Sequence, residues 1–139
     1  MPVAPEVVWD VLADPAGYQY WVVGSKAIRD VDAGFPAPGT KFHHTIGVGA
    51  LTVRDHTKVL ESERPGLMHL RAKGRPLGTA SVKLELTSED GGTRVKMTEN
   101  PDGAYAILAL NPLLHVFTKL RNAESLMRLE ELALRRSSK

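Results

Sequence analysis

Four ionisable side chains of this 139-residue chain fall where apolar neighbours surround them: His44, Asp55, Glu99 and Glu124. Strand alternation puts His44 on one side with Phe42 and Ile46, leaving Lys41, His43 and Thr45 on the other. Asp55 shares its side with Leu51, Val53, Thr57 and Val59, and Glu99 shares its own with Val95 and Met97. Glu124 lies within the apolar stripe of a long C-terminal helix. An acid or imidazole in apolar surroundings costs several kcal/mol unless it is paired, or it changes protonation state. Across a tight hairpin His44 is expected beside Val53 and diagonally close to Asp55, within hydrogen-bond reach. An imidazole backed by a carboxylate can orient a polar group of a ligand or move a proton. The same residues have a structural reading too. It is a satisfied His–Asp pair, Glu99 in solvent at a strand end, and Glu124 bonded to Arg128 one turn later.

The elements that must position these groups are well marked. Pro5 and Glu6 open a helix, because proline needs no amide partner there and the acid suits the helix dipole. Val7, Val8, Val11 and Leu12 give it an apolar side, and Asp14-Pro15 ends it. A second short turn runs through Tyr18 and Tyr20 to Trp21. Six strand-like segments follow, near 22–31, 40–47, 51–63, 67–74, 79–88 and 93–100. Glycine- and proline-rich turns separate them, the clearest at Asp90-Gly91-Gly92. Such short links require an antiparallel meander, since parallel pairing needs longer crossovers. Asn111 and Pro112 open the last helix as cap and first helical residue. Its Leu113, Val116, Phe117, Leu120, Ala123, Met127 and Leu134 share one face and are expected to cover the sheet. Gly103 to Leu110, small and apolar, is expected to wall or cover a space beneath.

The expected architecture is α+β: a curved antiparallel meander around one long helix, as a single domain over residues 1–139. That layout leaves room for an internal hydrophobic cavity. Candidate contacts for a ligand there are Trp21, Phe42, His44, Val53, Asp55, Met68, Leu70, Met97, Glu99, Phe117, Leu120 and Glu124. His44, Asp55 and Glu99 are the candidate acid–base groups. Trp9 and Trp21 read first as core anchors.

Composition narrows the partners. Eighteen basic and 16 acidic residues leave a net charge of +2, so no nucleic-acid partner is expected. The absence of cysteine removes disulfides and thiol chemistry and suits a cytoplasmic location. The longest apolar run, Ala104 to Leu110, is about a third of a ~20-residue membrane span, so no membrane insertion is expected. Met1-Pro2 followed by Glu6 lacks the pattern of a secretory signal. No metal site is expected, because the adjacent His43 and His44 point to opposite faces of their strand. Nor is a cofactor expected: the glycines sit in hairpins, with no strand-to-helix junction after them to cradle a phosphate.

The run Ala4-Pro5-Glu6-Val7-Val8-Trp9-Asp10-Val11-Leu12-Ala13-Asp14-Pro15, followed by Tyr18 and Trp21, resembles the opening of the SRPBCC (START-like) superfamily. Pro38-Gly39-Thr40, Gly91-Gly92-Thr93-Arg94-Val95 and the helix from Arg121 to Leu132 extend the resemblance over nearly the whole chain. The His43-His44 pair makes it most similar to the actinobacterial polyketide cyclase/dehydrase-type subgroup. The resemblance implies the helix-grip fold of the birch-pollen-allergen type: seven antiparallel strands gripping the C-terminal helix around a hydrophobic cavity. Members bind lipids, sterols, isoprenoids, polyketides or plant hormones, and some cyclise or aromatise polyketides. Here only Met1, Pro2, Val3 and Ala4 precede Pro5, so the first strand is expected to be shortened or missing. An open edge on strand 93–100 would then invite another chain, giving a monomer or weak homodimer.

The function expected first is binding of a small hydrophobic ligand, lipid, isoprenoid or polyketide-like, with His44, Asp55 and Glu99 fixing its polar end. The alternative is a polyketide cyclase/aromatase-type enzyme using the same three residues as acid and base. No second group in the sequence forms an oxyanion site, which counts against that alternative. A protein-interaction module is the third reading, and the outward rows of the strands read as mixed in sign, which counts against it.

Overall fold

A computed structural model describes residues 1–22, 25–48, 50–74, 78–102 and 112–138. Helix α1 spans Pro5–Leu12 and buries Val8, Trp9, Val11 and Leu12. The carboxylate of Asp14 accepts a hydrogen bond from the Ala16 amide (3.2 Å) and starts the 3-10 turn Pro15–Gly17. The short helix α2, Tyr18–Trp21, follows directly and buries both of its end residues. The Tyr18 hydroxyl donates to the Leu12 carbonyl (2.7 Å), which satisfies the end of α1 and ties it to α2. Burial raises the Tyr18 pKa far above its usual range, with Asp14 adding to the effect.

Six strands then form one antiparallel sheet in chain order: β1 Ser25–Val31, β2 Lys41–Val48, β3 Leu51–Glu63, β4 Leu67–Gly74, β5 Gly78–Glu89 and β6 Gly92–Asp102. Alternation gives the sheet a buried inner face, built from Phe42, Val59, Met68, Leu70, Leu84 and Leu86. β2 and β3 close with Val48 opposite Leu51, one step later than the glycines Gly47 and Gly49 imply. That step sets His44 opposite Asp55, where Val53 was expected. The residues Gly103 to Leu110, expected to wall the interior, lie outside the described residues, as does Asn111.

The C-terminal helix α3, Pro112–Ser137, packs on α1 and α2 with the opposite side from the one its sequence suggests. Ser125, Leu129 and Ala133 are buried at i, i+4 spacing, with Leu126 and Leu132 half-buried beside them. Val116, Leu120, Met127 and Leu134 of the apolar stripe are 56%, 67%, 60% and 39% exposed. The reason is closeness of approach. α3 meets other helices, and the small Ser125 and Ala133 let their backbones come together where a row of large side chains would hold them apart.

The N-terminus is also engaged. Met1 and Thr93 exchange hydrogen bonds, from the Met1 amine to the Thr93 carbonyl (2.9 Å) and from the Thr93 amide to the Met1 carbonyl (2.8 Å). The buried Thr93 hydroxyl donates to the Val3 carbonyl (2.7 Å). Met1 to Val3 thus cover the start of the β6 edge without forming a strand of their own. Gly92 permits the approach, since a Cβ there would strike the Met1 carbonyl.

Two outcomes check this packing. Leu129→Ala lowers unfolding stability by about 2–5 kcal/mol in urea titrations, while Leu120→Ala changes it by less than about 0.5 kcal/mol. Equal costs would mean that α3 presents the other face. Gly92→Ala destabilises by about 1–3 kcal/mol, because Met1 must leave the β6 edge or the turn must shift. Amide exchange at Thr93 accelerates in that variant.

Candidate functional site

The inner face carries three buried polar residues in a row across β2 and β3: His44, Asp55 and Thr57. His44 is 5% exposed and its Nε2 lies 2.9 Å from the Thr57 hydroxyl. Thr57 belongs to the same inward row as Asp55 but reads as an ordinary strand residue in the sequence; only the register makes it the imidazole's partner. Asp55 acts on His44 through charge, while its Oδ1 accepts a hydrogen bond from the His56 amide (3.0 Å). Arg29 reaches over from β1 and donates to the carbonyls of His44 (3.4 Å) and Asp55 (3.3 Å), joining the two strands at the site.

Burial lowers the His44 pKa below its ordinary 6.5, and the raising effect of Asp55 does not reverse this. The imidazole is therefore neutral near pH 7, with one nitrogen a donor and the other an acceptor. Thr57 engages Nε2, and among the described residues the buried Nδ1 finds no hydrogen-bond partner. Whichever tautomer is present, Nδ1 offers one unused donor or acceptor.

A second buried atom shares that condition. Trp21 is 1% exposed, and its indole Nε1 also lacks a partner among the described residues. Trp21 and His44 stand at two ends of one aromatic cluster. Tyr18 contacts Trp21 (ring centroids 4.9 Å) and Phe42 (4.8 Å), and Phe42 contacts His44 (5.7 Å). The floor beside the cluster is apolar, with Met68 and Leu70 buried and Val82 and Met97 half-buried. A buried polar atom without a partner costs about 1–3 kcal/mol, and each of the two could accept a polar atom of a mainly apolar molecule.

The remaining candidates are dispersed. Both carboxylate oxygens of Glu99 accept from Nη2 of Arg121, and one accepts a further bond from Asn122 (3.2 Å), so the carboxylate fastens β6 to α3. Arg121 was not singled out by sequence reasoning, because a helix–strand ion pair leaves no local pattern. Glu124 pairs with Arg128 (3.1 Å), as the i, i+4 spacing suggests. Leu120 is exposed on the outer side of α3. The side chains of Val53 and Phe117 lie outside the described residues. No group of three or more metal-ligating side chains occurs among the described residues.

A meander of antiparallel strands with a long C-terminal helix is the helix-grip fold, and the comparisons place the chain within it. Its sequence matches the polyketide cyclase/dehydrase and lipid transport family over residues 1–133. The chain belongs to that family. Among solved structures it resembles Ara h 8.0201 (TM-score 0.75, 19% identity, covering 96% of this chain and 91% of that one). Protein NE0264 from Nitrosomonas europaea is similar as well (TM-score 0.72, 18% identity, 97% and 90% covered). So is the AHSA1-like protein from Aeromonas hydrophila (TM-score 0.67, 17% identity, 99% and 90% covered). At these identities the likeness is one of fold. A search of curated proteins finds no sequence match. No helix among the described residues is long and apolar enough to cross a membrane.

The lowered His44 pKa has a consequence for stability. As pH falls below 6.5 the unfolded chain takes up a proton before the folded one does. Stability is thus full above that pH and declines as pH drops toward the folded pKa; His56, also lowered, adds a fall in the same direction. His44→Gln keeps a partner for Thr57 and removes the titration. Urea midpoints at about pH 7.5 and about pH 5 differ less in this variant than in the native protein. An equal difference would assign the titration to another group.

Proposed function

We propose that this protein binds a small, mainly apolar molecule against the inner face of its sheet, with its polar group held by Trp21 Nε1 or by His44 Nδ1. The observation that carries this reading is the pair of buried nitrogens, unpartnered among the described residues, at two ends of one aromatic cluster. A hydroxyl or carbonyl oxygen accepts from the indole N–H, and a hydroxyl also serves either tautomer of His44. Phe42, Met68, Leu70 and Met97 supply the apolar walls. Lipids, isoprenoids and polyketide-like molecules combine these properties, and the family description names both polyketide chemistry and lipid transport. Asp55 lies opposite the imidazole and favours its protonated form. Glu99 is occupied by Arg121, so in this reading its part is to set the distance between α3 and β6.

A second reading rests on the same imidazole. A neutral histidine with a lowered pKa and an unused ring nitrogen is equipped to act as a general base in a cyclase- or aromatase-type reaction. Asp55 would then stabilise the imidazolium as it forms. Binding requires less of the site than catalysis does, and it is the reading preferred here.

The test compares two ligands that differ by one hydroxyl, 2-naphthol and naphthalene, each titrated by its own fluorescence. The native protein binds 2-naphthol about five- to tenfold more tightly than naphthalene. Trp21→Phe or His44→Leu narrows that ratio, whatever it does to the absolute affinities. Equal affinity of the native protein for the two compounds would overturn the reading.

A further inference from the structure

The outer face of the sheet concentrates charge that the overall balance of +2 conceals. The outward positions of β2, β3 and β4 carry eight Lys, Arg or His side chains between Lys41 and Lys73, interrupted by Thr45, and two acids, Glu61 and Glu63, past the irregularity in β3. Read strand by strand, these rows look mixed in sign with the rest of the sheet. The register brings the basic ones together. Lys41 stands opposite Lys58, and Lys58 opposite Arg71. With strands about 4.8 Å apart, three cations share a row roughly 10 Å long. Beside it, His43 stands opposite His56, their ring centroids 6.0 Å apart. Lys58, Arg71 and Lys73 are exposed, and the helices pack on the other side of the sheet.

Like charges placed directly opposite one another on neighbouring strands destabilise a sheet. The field registers on His56. Its pKa is lowered first by desolvation, then by Lys41, and further by Lys73 and His43, against the opposite pull of Asp55. The acids of this face stand at its margin, with Asp30 opposite His43 and Glu61 opposite His69. Arg54 and Arg71 engage neighbouring groups, yet their charge remains part of the field. A concentration of cations that weakens the isolated fold is matched by an anionic surface pressed against it.

We propose that the outer face of β2, β3 and β4 is a docking surface for anionic phospholipid bilayers. The composition of the face favours a bilayer over nucleic acid. None of these outward side chains is Phe, Tyr or Trp, so unpaired bases have nothing to stack upon. Six of the eight basic residues are Lys or His, and only Arg54 and Arg71 carry the planar fork that reads base edges. The face is the outside of a curved sheet. A rod-like duplex meets such a surface along a line, whereas mobile anionic lipids can gather beneath the whole of it. Each Lys or Arg held near an anionic leaflet adds to the attraction, and salt screens it. This docking is independent of what the inner face binds.

The experiment is co-sedimentation of the full chain with phosphatidylcholine vesicles, with and without about 30% phosphatidylserine. The protein is expected to sediment with the phosphatidylserine vesicles at about 50 mM salt, to be released at about 500 mM, and to ignore pure phosphatidylcholine. Lys58→Glu with Lys73→Glu lowers the partition coefficient by roughly tenfold or more. Lys119→Glu with Arg136→Glu, the same change of charge on exposed positions of α3, leaves it within about twofold. Lys58→Gln with Lys73→Gln, which relieves the opposed charges, melts at or above the native temperature and gives an intermediate loss. Binding to neutral vesicles, or an equal loss in the α3 pair, overturns the proposal. So does preferential binding to a duplex DNA of about 20 base pairs that depends on Lys58 and Lys73; that result assigns the face to nucleic acid.

Discussion

The pairing register of β2 on β3 is the constraint on which the rest depends. With His44 opposite Asp55 and His43 opposite His56, one face of the sheet gathers Phe42, His44, Asp55, Thr57 and Val59. The other gathers Lys41, His43, Arg54, His56 and Lys58. A slip of one residue on either strand would turn its whole set over, placing lysines against Tyr18 and Phe42 and leaving apolar side chains in water. The hydrophobic contrast between the faces holds the register, and the register builds both the interior site and the basic exterior.

That contrast makes the exceptions informative. Protein interiors satisfy nearly all of their buried polar groups, and this one does so at Tyr18, Thr93 and Nε2 of His44. Among the described residues, Nδ1 of His44 and Nε1 of Trp21 stand apart from the pattern, at two ends of one aromatic cluster. Desolvation keeps the imidazole neutral despite the nearby carboxylate. A neutral imidazole and an indole N–H each suit an uncharged oxygen better than an anion, which agrees with the proposed apolar ligand carrying a hydroxyl or carbonyl.

Glu99 and α3 show how the same sequence feature acquires a different role in three dimensions. An acid on an apolar strand face suggests chemistry, yet Arg121 and Asn122 of α3 arrive over it and turn it into a tie between β6 and the helix. The helix itself is rotated by its neighbours. Ser125, Leu129 and Ala133 face α1 and α2, and Leu120 and Met127 face outward. A period of 3.6 identifies an amphipathic helix, but with apolar residues on both sides of this one it does not say which side meets a partner.

The sequence by itself determined the positions of the six strands, both main helices and the antiparallel order, because turns, caps and alternation are local properties of the chain. It also determined that His44 and Asp55 point inward, since a period of two leaves each strand residue only one of two faces. Tertiary structure decided what depends on two distant segments meeting. The closing of β2 on β3 one step later than the glycines suggest gave His44 to Thr57 for its hydrogen bond. The docking of α1 and α2 chose the buried side of α3, and the arrival of Arg121 occupied Glu99. The stacking of three strands in register joined rows that look unremarkable one at a time into a single basic face. Local stereochemistry acts over a few residues and is written in order along the chain. Pairing energies between remote residues exist only once the fold has brought them together.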